Sequence, residues 1–366
     1  MKIKRLESFT KPFVSFVKVT LEDNSYGFGQ MSTYNADITA QIFHKQVAPW
    51  VLGKEWDNFE DIENNVIEKE HKFPGSYLLR AISGLDTALW DLKGKKNGLP
   101  VVSLIGGNPG KLKIYGSSMK RDIKPIDEVN RFKKLYNEKG VDAFKYRIGS
   151  ECGRGKDEWE GRSIDIIKTI NQSLNSNITK LVDANSCYNP QEAIEVGKIL
   201  EDNGVTHFEE PCPYWEPEQT KEVTDKLNID VTGGEQDCDI RIWKDMVNRK
   251  IVNIFQPDVM YLGGLTRALK VAKIIEEGGF KCTPHAANLS LVTICTMHFL
   301  KAISNGGPYL EFSIEQDDYY PWQKNLFLND PFFINDGCVN ISDEPGWGVK
   351  INPVWLEKSN YLISEI

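Results

Sequence analysis

Three carboxylates recur at a fixed interval in the middle of this 366-residue chain. Asp183 lies in LVDAN, Glu209 in HFEEP and Glu235 at the end of DVTGGE, with 26 residues from the first to the second and 26 from the second to the third. Each closes a short apolar segment, and helical runs lie between them. That interval matches one strand, loop, helix and loop of a parallel barrel, which has about 250 residues in eight units. At the C-terminal mouth of such a barrel neighbouring strand ends are about 5 Å apart, so three acids there would repel strongly unless a cation sat among them. An all-oxygen ligand set suits a hard cation such as Mg²⁺.

The ladder continues. Asp258 in QPDV, His285 in TPHA and Glu311 in YLEF follow at steps of 23, 27 and 26 residues. Upstream, Lys145 and Arg147 flank Tyr146 on one predicted strand and therefore share the face opposite it. Candidate strands lie at 113–118, 143–149, 180–185, 207–211, 230–235, 253–259, 281–287 and 309–313, with helical runs such as Glu192–Asn203 and Leu265–Glu277 between them. This alternation predicts an α/β barrel rather than a doubly wound sheet. One charged residue at a strand end reads as a solvated group or a salt bridge; seven strands in succession, from the second to the eighth, read as a site. Asp258 and His285 on adjacent strands can pair, the carboxylate setting the imidazole tautomer and raising its basicity. His207, two residues before Glu209, reads as a satisfied core group. Glu210 falls on the face opposite Glu209, where a salt bridge or helix contact is expected.

Residues 1–111 lack the barrel rhythm and are expected to form an α+β capping domain, with the barrel at 112–330 and a segment at 331–366 packing back on the cap. Phe13–Leu21 reads as a strand, Asp23–Ser25 as a turn and Tyr26–Gln30 as its hairpin partner. Ser76–Lys96 has the helical period, with Leu78, Leu79, Ile82, Leu85, Ala88, Leu89 and Leu92 on one side, and Gly98 and Pro100 stop it. The net charge of −8, without a basic stripe, argues against nucleic acid as a partner. No apolar run reaches the ~18 residues of a membrane span, and MKIKRLESFTKPF lacks a signal-peptide core, so a cytoplasmic location is expected. Seven cysteines without a CxxC pair indicate neither a disulfide framework nor a zinc ribbon. The five histidines contain no HxH or HxxH pair, which disfavours a zinc hydrolase barrel.

With Asp183 in VDAN, Glu209 in FEEP, Glu235 in GGE, Pro257-Asp258 followed by Gly263-Gly264, and His285, the chain resembles the mandelate racemase subgroup of the enolase superfamily. RAISGLDTALWDLKGKKNGLPVVSLIGG at 80–107 is similar to the helix and turn that precede the barrel in that family. The resemblance implies a capping domain on a modified (β/α)₇β barrel and one Mg²⁺ per subunit on Asp183, Glu209 and Glu235. It also implies removal of the proton α to a substrate carboxylate. Asp258 and His285 would then be the catalytic dyad and Lys145 would neutralise the substrate carboxylate. Glu311, if protonated, would donate to its oxygen, which requires a raised pKa. Asn185 matches a substrate-contacting position, and its other reading is a turn-forming Asn. A homo-oligomer is also expected.

The departure is Arg147. Many members of the subgroup carry a second lysine there as a base opposite the histidine, and arginine, with a pKa above about 12, is a poor base. The expected activity is therefore dehydration of an acid sugar to a 2-keto-3-deoxy acid, with His285 taking the α-proton and protonating the departing β-hydroxyl. Alternatives are racemisation, epimerisation or cycloisomerisation by the same enediolate chemistry, and a non-catalytic metal- and ligand-binding barrel. Specificity is expected from Tyr26–Asp37, from the region of Trp50–Trp56 and from the DDYYPW segment at 317–322.

Overall fold

A computed structural model describes residues 1–286 and 288–366. The cap is built on the antiparallel sheet β13-β1-β2-β3, comprising β1 (Ile3–Lys11), β2 (Val14–Leu21), β3 (Tyr26–Met31) and β13 (Asn360–Glu365). The expected hairpin is β2/β3, closed by the turn after Leu21. To it the structure adds β1, which the sequence reading leaves without an element. The helix Ser76–Asn97 lies against β3 almost backbone to backbone. A Cβ on Gly29 would sit 2.4 Å from Ala88 N and from Gly84 O, so this packing needs glycine.

The barrel follows, with eight parallel strands among the described residues: β4 (Gly110–Ser117), β5 (Ala143–Arg147), β6 (Thr179–Asp183), β7 (His207–Glu209), β8 (Asp230–Gly233), β9 (Ile254–Phe255), β10 (Lys281–Cys282) and β11 (Leu310–Ser313). Their order is β10-β9-β8-β7-β6-β5-β4-β11, and a parallel bridge from Cys282 to Gly306, just before β11, closes the ring. Seven helices separate them among the described residues, from Pro125–Lys139 to Leu291–Ala302, which makes the barrel (β/α)₇β. The segment after residue 330 serves both bodies: β12 (Cys338–Ile341) pairs with β4, whereas β13 pairs with β1. No helix among the described residues is long and apolar enough to cross a membrane.

Two cap side chains seat the cap on the barrel by taking helix N-terminal N–H groups that lack intrahelical partners. Asp86 accepts from Leu265 N at 2.5 Å and from Thr266 N at 3.4 Å at the start of helix Leu265–Glu277. Gly264 precedes that helix with φ 119°, and a Cβ there would meet Asp86 Oδ2 at 2.2 Å, so the glycine admits the carboxylate. Gln30 accepts from Leu291 N at 3.1 Å and donates to Ser290 Oγ at 3.0 Å, at the start of helix Leu291–Ala302.

Candidate active site

The parallel register aligns Arg147 with Asp183 and Asp183 with Glu209, so the ends of β5, β6 and β7 lie level. Lys145 Nζ, fully buried, donates to Glu209 Oε1 at 2.8 Å and Oε2 at 2.7 Å. It lies 2.7 Å from Glu311 Oε1 and 3.8 Å from Asp183 Oδ2. The Arg147 guanidinium pairs with Asp183, donates through Nε to Ser118 O at 3.0 Å and reaches Asn185 Oδ1 at 2.8 Å. Tyr146 between them is wholly buried on the other side of the strand. Asn185 turns in the left-handed region, φ 42°, and its N–H and amide both donate to the Asp183 carboxylate. Turn residue and site residue are thus one.

His285 follows β10. Its Nδ1 lies 2.8 Å from Asp258 Oδ2 and its Nε2 lies 3.3 Å from Glu235 Oε2. Asp258 Oδ1 accepts from Met260 N at 2.7 Å and Tyr261 N at 2.9 Å, which leaves its other oxygen to orient the ring. Burial alone would push the His285 pKa down, but Glu235, Glu311 and Asp258 outweigh it and hold it at about 10. Glu235 itself is pushed up, by burial and by Glu209, against the pull of His285.

One expectation fails and one is met only in part. Glu311 is not a protonated donor: burial would raise its pKa, yet Lys145 and His285 bring it well below the ordinary carboxylate range. It instead accepts from Ser117 Oγ at 2.8 Å and from Ala286 N at 2.9 Å. Glu210 forms no salt bridge among the described residues, but it lines a cavity with Thr220 and Met246 of the helices Pro217–Lys226 and Ile240–Arg249; it is buried, its Oε1 has no hydrogen-bond partner, and burial with the nearby Glu235 holds it well above the usual range. Its φ of 42° breaks the strand alternation on which that expectation rested. His207, at the start of β7, bonds Thr206 Oγ1 through Nδ1 at 2.7 Å.

Several residues at the site were not singled out from the sequence. Gln256 donates to Glu209 Oε2 at 2.7 Å; it stands two residues before Asp258 in QPD, and strand alternation would have placed it on the same face. Arg80, on the cap helix, stacks over Tyr261, 3.4 Å from its ring centroid, and donates to Ser32 Oγ. Tyr261 in turn lies 5.9 Å, centroid to centroid, from His285. Of the expected specificity segments, Tyr26–Asp37 reaches the barrel through Gln30 and through Thr33, whose Oγ1 accepts from Asn288 at 3.5 Å. Gln323, next to 317–322, accepts from Leu289 N. Trp50–Trp56 does otherwise: its hydrogen bonds run to Met1, Ile3 and Glu70 within the cap.

Comparison with known proteins agrees with this fold. Residues 5–106 match the family model for the mandelate racemase/muconate lactonizing enzyme N-terminal domain, and residues 127–355 match the enolase C-terminal domain-like model. The chain belongs to the mandelate racemase/muconate lactonizing enzyme family of the enolase superfamily. An arabinonate dehydratase of Saccharolobus solfataricus is 25% identical over 340 residues, covering 91% of this chain and 87% of that one. The crystal structure of a candidate racemase from Roseobacter denitrificans is 55% identical, with a TM-score of 0.99 and full coverage of both chains. A mandelate racemase/muconate lactonizing protein from Paracoccus denitrificans, complexed with magnesium, is 25% identical with a TM-score of 0.87, covering 100% of this chain and 99% of that one.

Members of the superfamily bind Mg²⁺, and the donor set of this member fits that ion. Asp183, Glu209 and Glu235 supply only carboxylate oxygens, the first two ending β6 and β7 and the third two residues past the end of β8. Among the described residues no three His, Cys, Asp or Glu side chains already converge as metal ligands. Protein cations take the acids instead: Arg147 on Asp183, Lys145 on Glu209 and His285 on Glu235. Three buried acids thus each hold a cation, which is the charge demand a divalent ion would meet.

Proposed function

We propose that this enzyme is a Mg²⁺-dependent acid-sugar dehydratase, acting on a small carboxylate substrate and giving a 2-keto-3-deoxy acid. The observation that carries the reading is the pairing of one oriented histidine, His285 on Asp258, with an arginine at the opposite position, Arg147. Bound by Asp183, Glu209 and Glu235, Mg²⁺ would supply the positive charge that a dianionic enediolate requires. Lys145 would hold a substrate carboxylate oxygen, for which Glu209 and Glu311 keep it charged against burial. His285 Nε2, pointing into the same space as Glu235, would take the α-proton and deliver it to the β-hydroxyl as it leaves. Asp258 would hold the ring throughout. Ionised Glu311 would position Lys145 and the His285 loop, and Asn185 with Arg147 would contact the substrate. In this reading the cap runs to residue 109, two residues short of the expected boundary because β4 begins at Gly110, and loop residues between Ser32 and Asn35 shape the mouth.

The test is incubation of Mg²⁺-loaded enzyme with single stereoisomers of acid sugars in D₂O, followed by NMR. One carbon-2 configuration should dehydrate, without epimerisation of recovered substrate. The similarity to a candidate racemase supplies a second reading. Interconversion of carbon-2 epimers without a keto-deoxy product would establish that reading in place of the first.

A further inference from the structure

Arg121 lies in the loop between β4 and helix Pro125–Lys139 and is half-buried. Its Nε donates to Gly149 O at 3.0 Å, and its Nη2 donates to Asn185 Oδ1, the same oxygen that Arg147 Nη1 reaches at 2.8 Å. Two guanidiniums therefore converge on one neutral amide oxygen. Arg147 shares the Asp183 carboxylate, but Arg121 has no carboxylate within 4.0 Å among the described residues. Burial and the like charge of Arg147 bring its pKa down to about 10, which is the signature of a cation held where it is poorly compensated. A half-buried charge with no counterion within 4.0 Å is costly, and the planar fork of arginine fits a carboxylate at two points. When a metal takes Asp183, Arg147 also loses its carboxylate.

The surroundings fit a ligand that enters from the mouth. Tyr319, 42% exposed, lies within electrostatic reach of both guanidiniums and of Tyr34 from the cap, itself 47% exposed. Arg121 follows β4 and Arg147 ends β5, whereas His285 follows β10, so the arginines and the proposed base stand on different sides of the site. Asn185 Oδ1 occupies a place that an anionic oxygen would satisfy better.

We propose that the substrate carries a second carboxylate, as an aldaric acid does, and that Arg121, with Arg147 beside it, holds that distal group. This rests on the reading of the site as an acid-sugar enzyme and narrows it to the dicarboxylic class. Arg121 is then the residue that separates aldarates from aldonates, which end in a hydroxymethyl group.

The experiment is a calorimetric titration of the Mg²⁺-loaded H285N variant with matched aldarate and aldonate pairs of the galacto, gluco and manno series. That variant lacks the proposed base, so binding is read without turnover. In at least one series the aldarate should bind tighter by roughly tenfold or more, the scale of one charge-assisted contact. The preference should vanish in H285N/R121M and return in part in H285N/R121K, with aldonate affinity within about threefold throughout, since R121M removes no contact that the aldonate makes. Melting temperatures would show that both variants fold. Equal binding of the two acids in all three series, or a preference that survives R121M, overturns the proposal. Selective aldarate binding by H285N without wild-type turnover of any acid would instead overturn the dehydratase reading and leave the dicarboxylate site standing.

Discussion

Lys145 and Glu209 form a buried two-point ion pair, with Nζ 2.8 Å from one carboxylate oxygen and 2.7 Å from the other. A cation of the protein thus holds the carboxylate that the metal reading assigns to Mg²⁺, and the two compete for it. K145M should therefore bind Mg²⁺ tighter than the parent, by roughly tenfold or ~1.4 kcal/mol, although turnover is lost. Calorimetric titration decides it, and weaker binding would show that Lys145 helps to assemble the metal site.

His285 is held at two nitrogens, by Asp258 and by Glu235. H285N should lower kcat by roughly 10³-fold or more, the range for loss of a positioned proton-transfer group, with little change in unfolding midpoint. D258N should also slow turnover, because the ring loses its oriented acceptor. Retained turnover in H285N would remove the histidine from the mechanism.

The sequence disclosed the constellation because the barrel converts linear spacing into adjacency: acids 26 residues apart fall at or just past the ends of consecutive strands. Residues such as Arg80 and Arg121 were not legible in that way. They act through neighbours that only the tertiary fold supplies, Tyr261 for one and Asn185 for the other. The ionised state of Glu311 was hidden for a related reason: its pKa is decided by which partner Lys145 chooses, and strand order does not specify that.

In the proposed reading Arg147 bars a second base by its chemistry, not by its position. R147K would place a group of lower intrinsic pKa at the same strand end, beside Asp183. NMR in D₂O should then reveal solvent exchange at carbon 2 of the epimer that the parent leaves untouched. No exchange above the parent's would mean that this strand end does not face the reacting carbon.

Asp86 substitutes for an N-cap that helix Leu265–Glu277 lacks in its own sequence, since Gly264 offers no side chain. D86A should lower stability by about 1–2 kcal/mol, the usual loss on removing a helix cap. Denaturant midpoints measure this, and an unchanged midpoint would show that the seat of the cap does not depend on this contact.

Acid should weaken the fold through His298. Its Nδ1 accepts from Val102 N at 2.9 Å, and burial brings its pKa from 6.5 down to about 3. The unfolded chain therefore takes the proton first. The stabilisation is complete above about pH 6.5 and is lost as pH falls toward 3, with a slope of ~1.4 kcal/mol per pH unit. His44, brought down to about 4 by burial, acts in the same direction. Unfolding free energies at pH 6.5, 5.5 and 4.5 should fall less steeply in H298Q, and an equal slope would show that this histidine is not the titrating group.

The pairing of β1 with β13 joins Arg5 to Glu365 and Thr10 to Asn360, across nearly the whole chain. A ribosome releases β1 before the barrel and its partner after it, so the outer edge of the cap sheet stays open while the entire barrel is made. Ile3–Lys11 then presents a row of unpaired backbone groups, the feature that promotes association between nascent chains. Slow elongation late in translation would lengthen that exposure, and β13 supplied in trans as a peptide has a vacant edge to occupy on any chain that stops before Asn360.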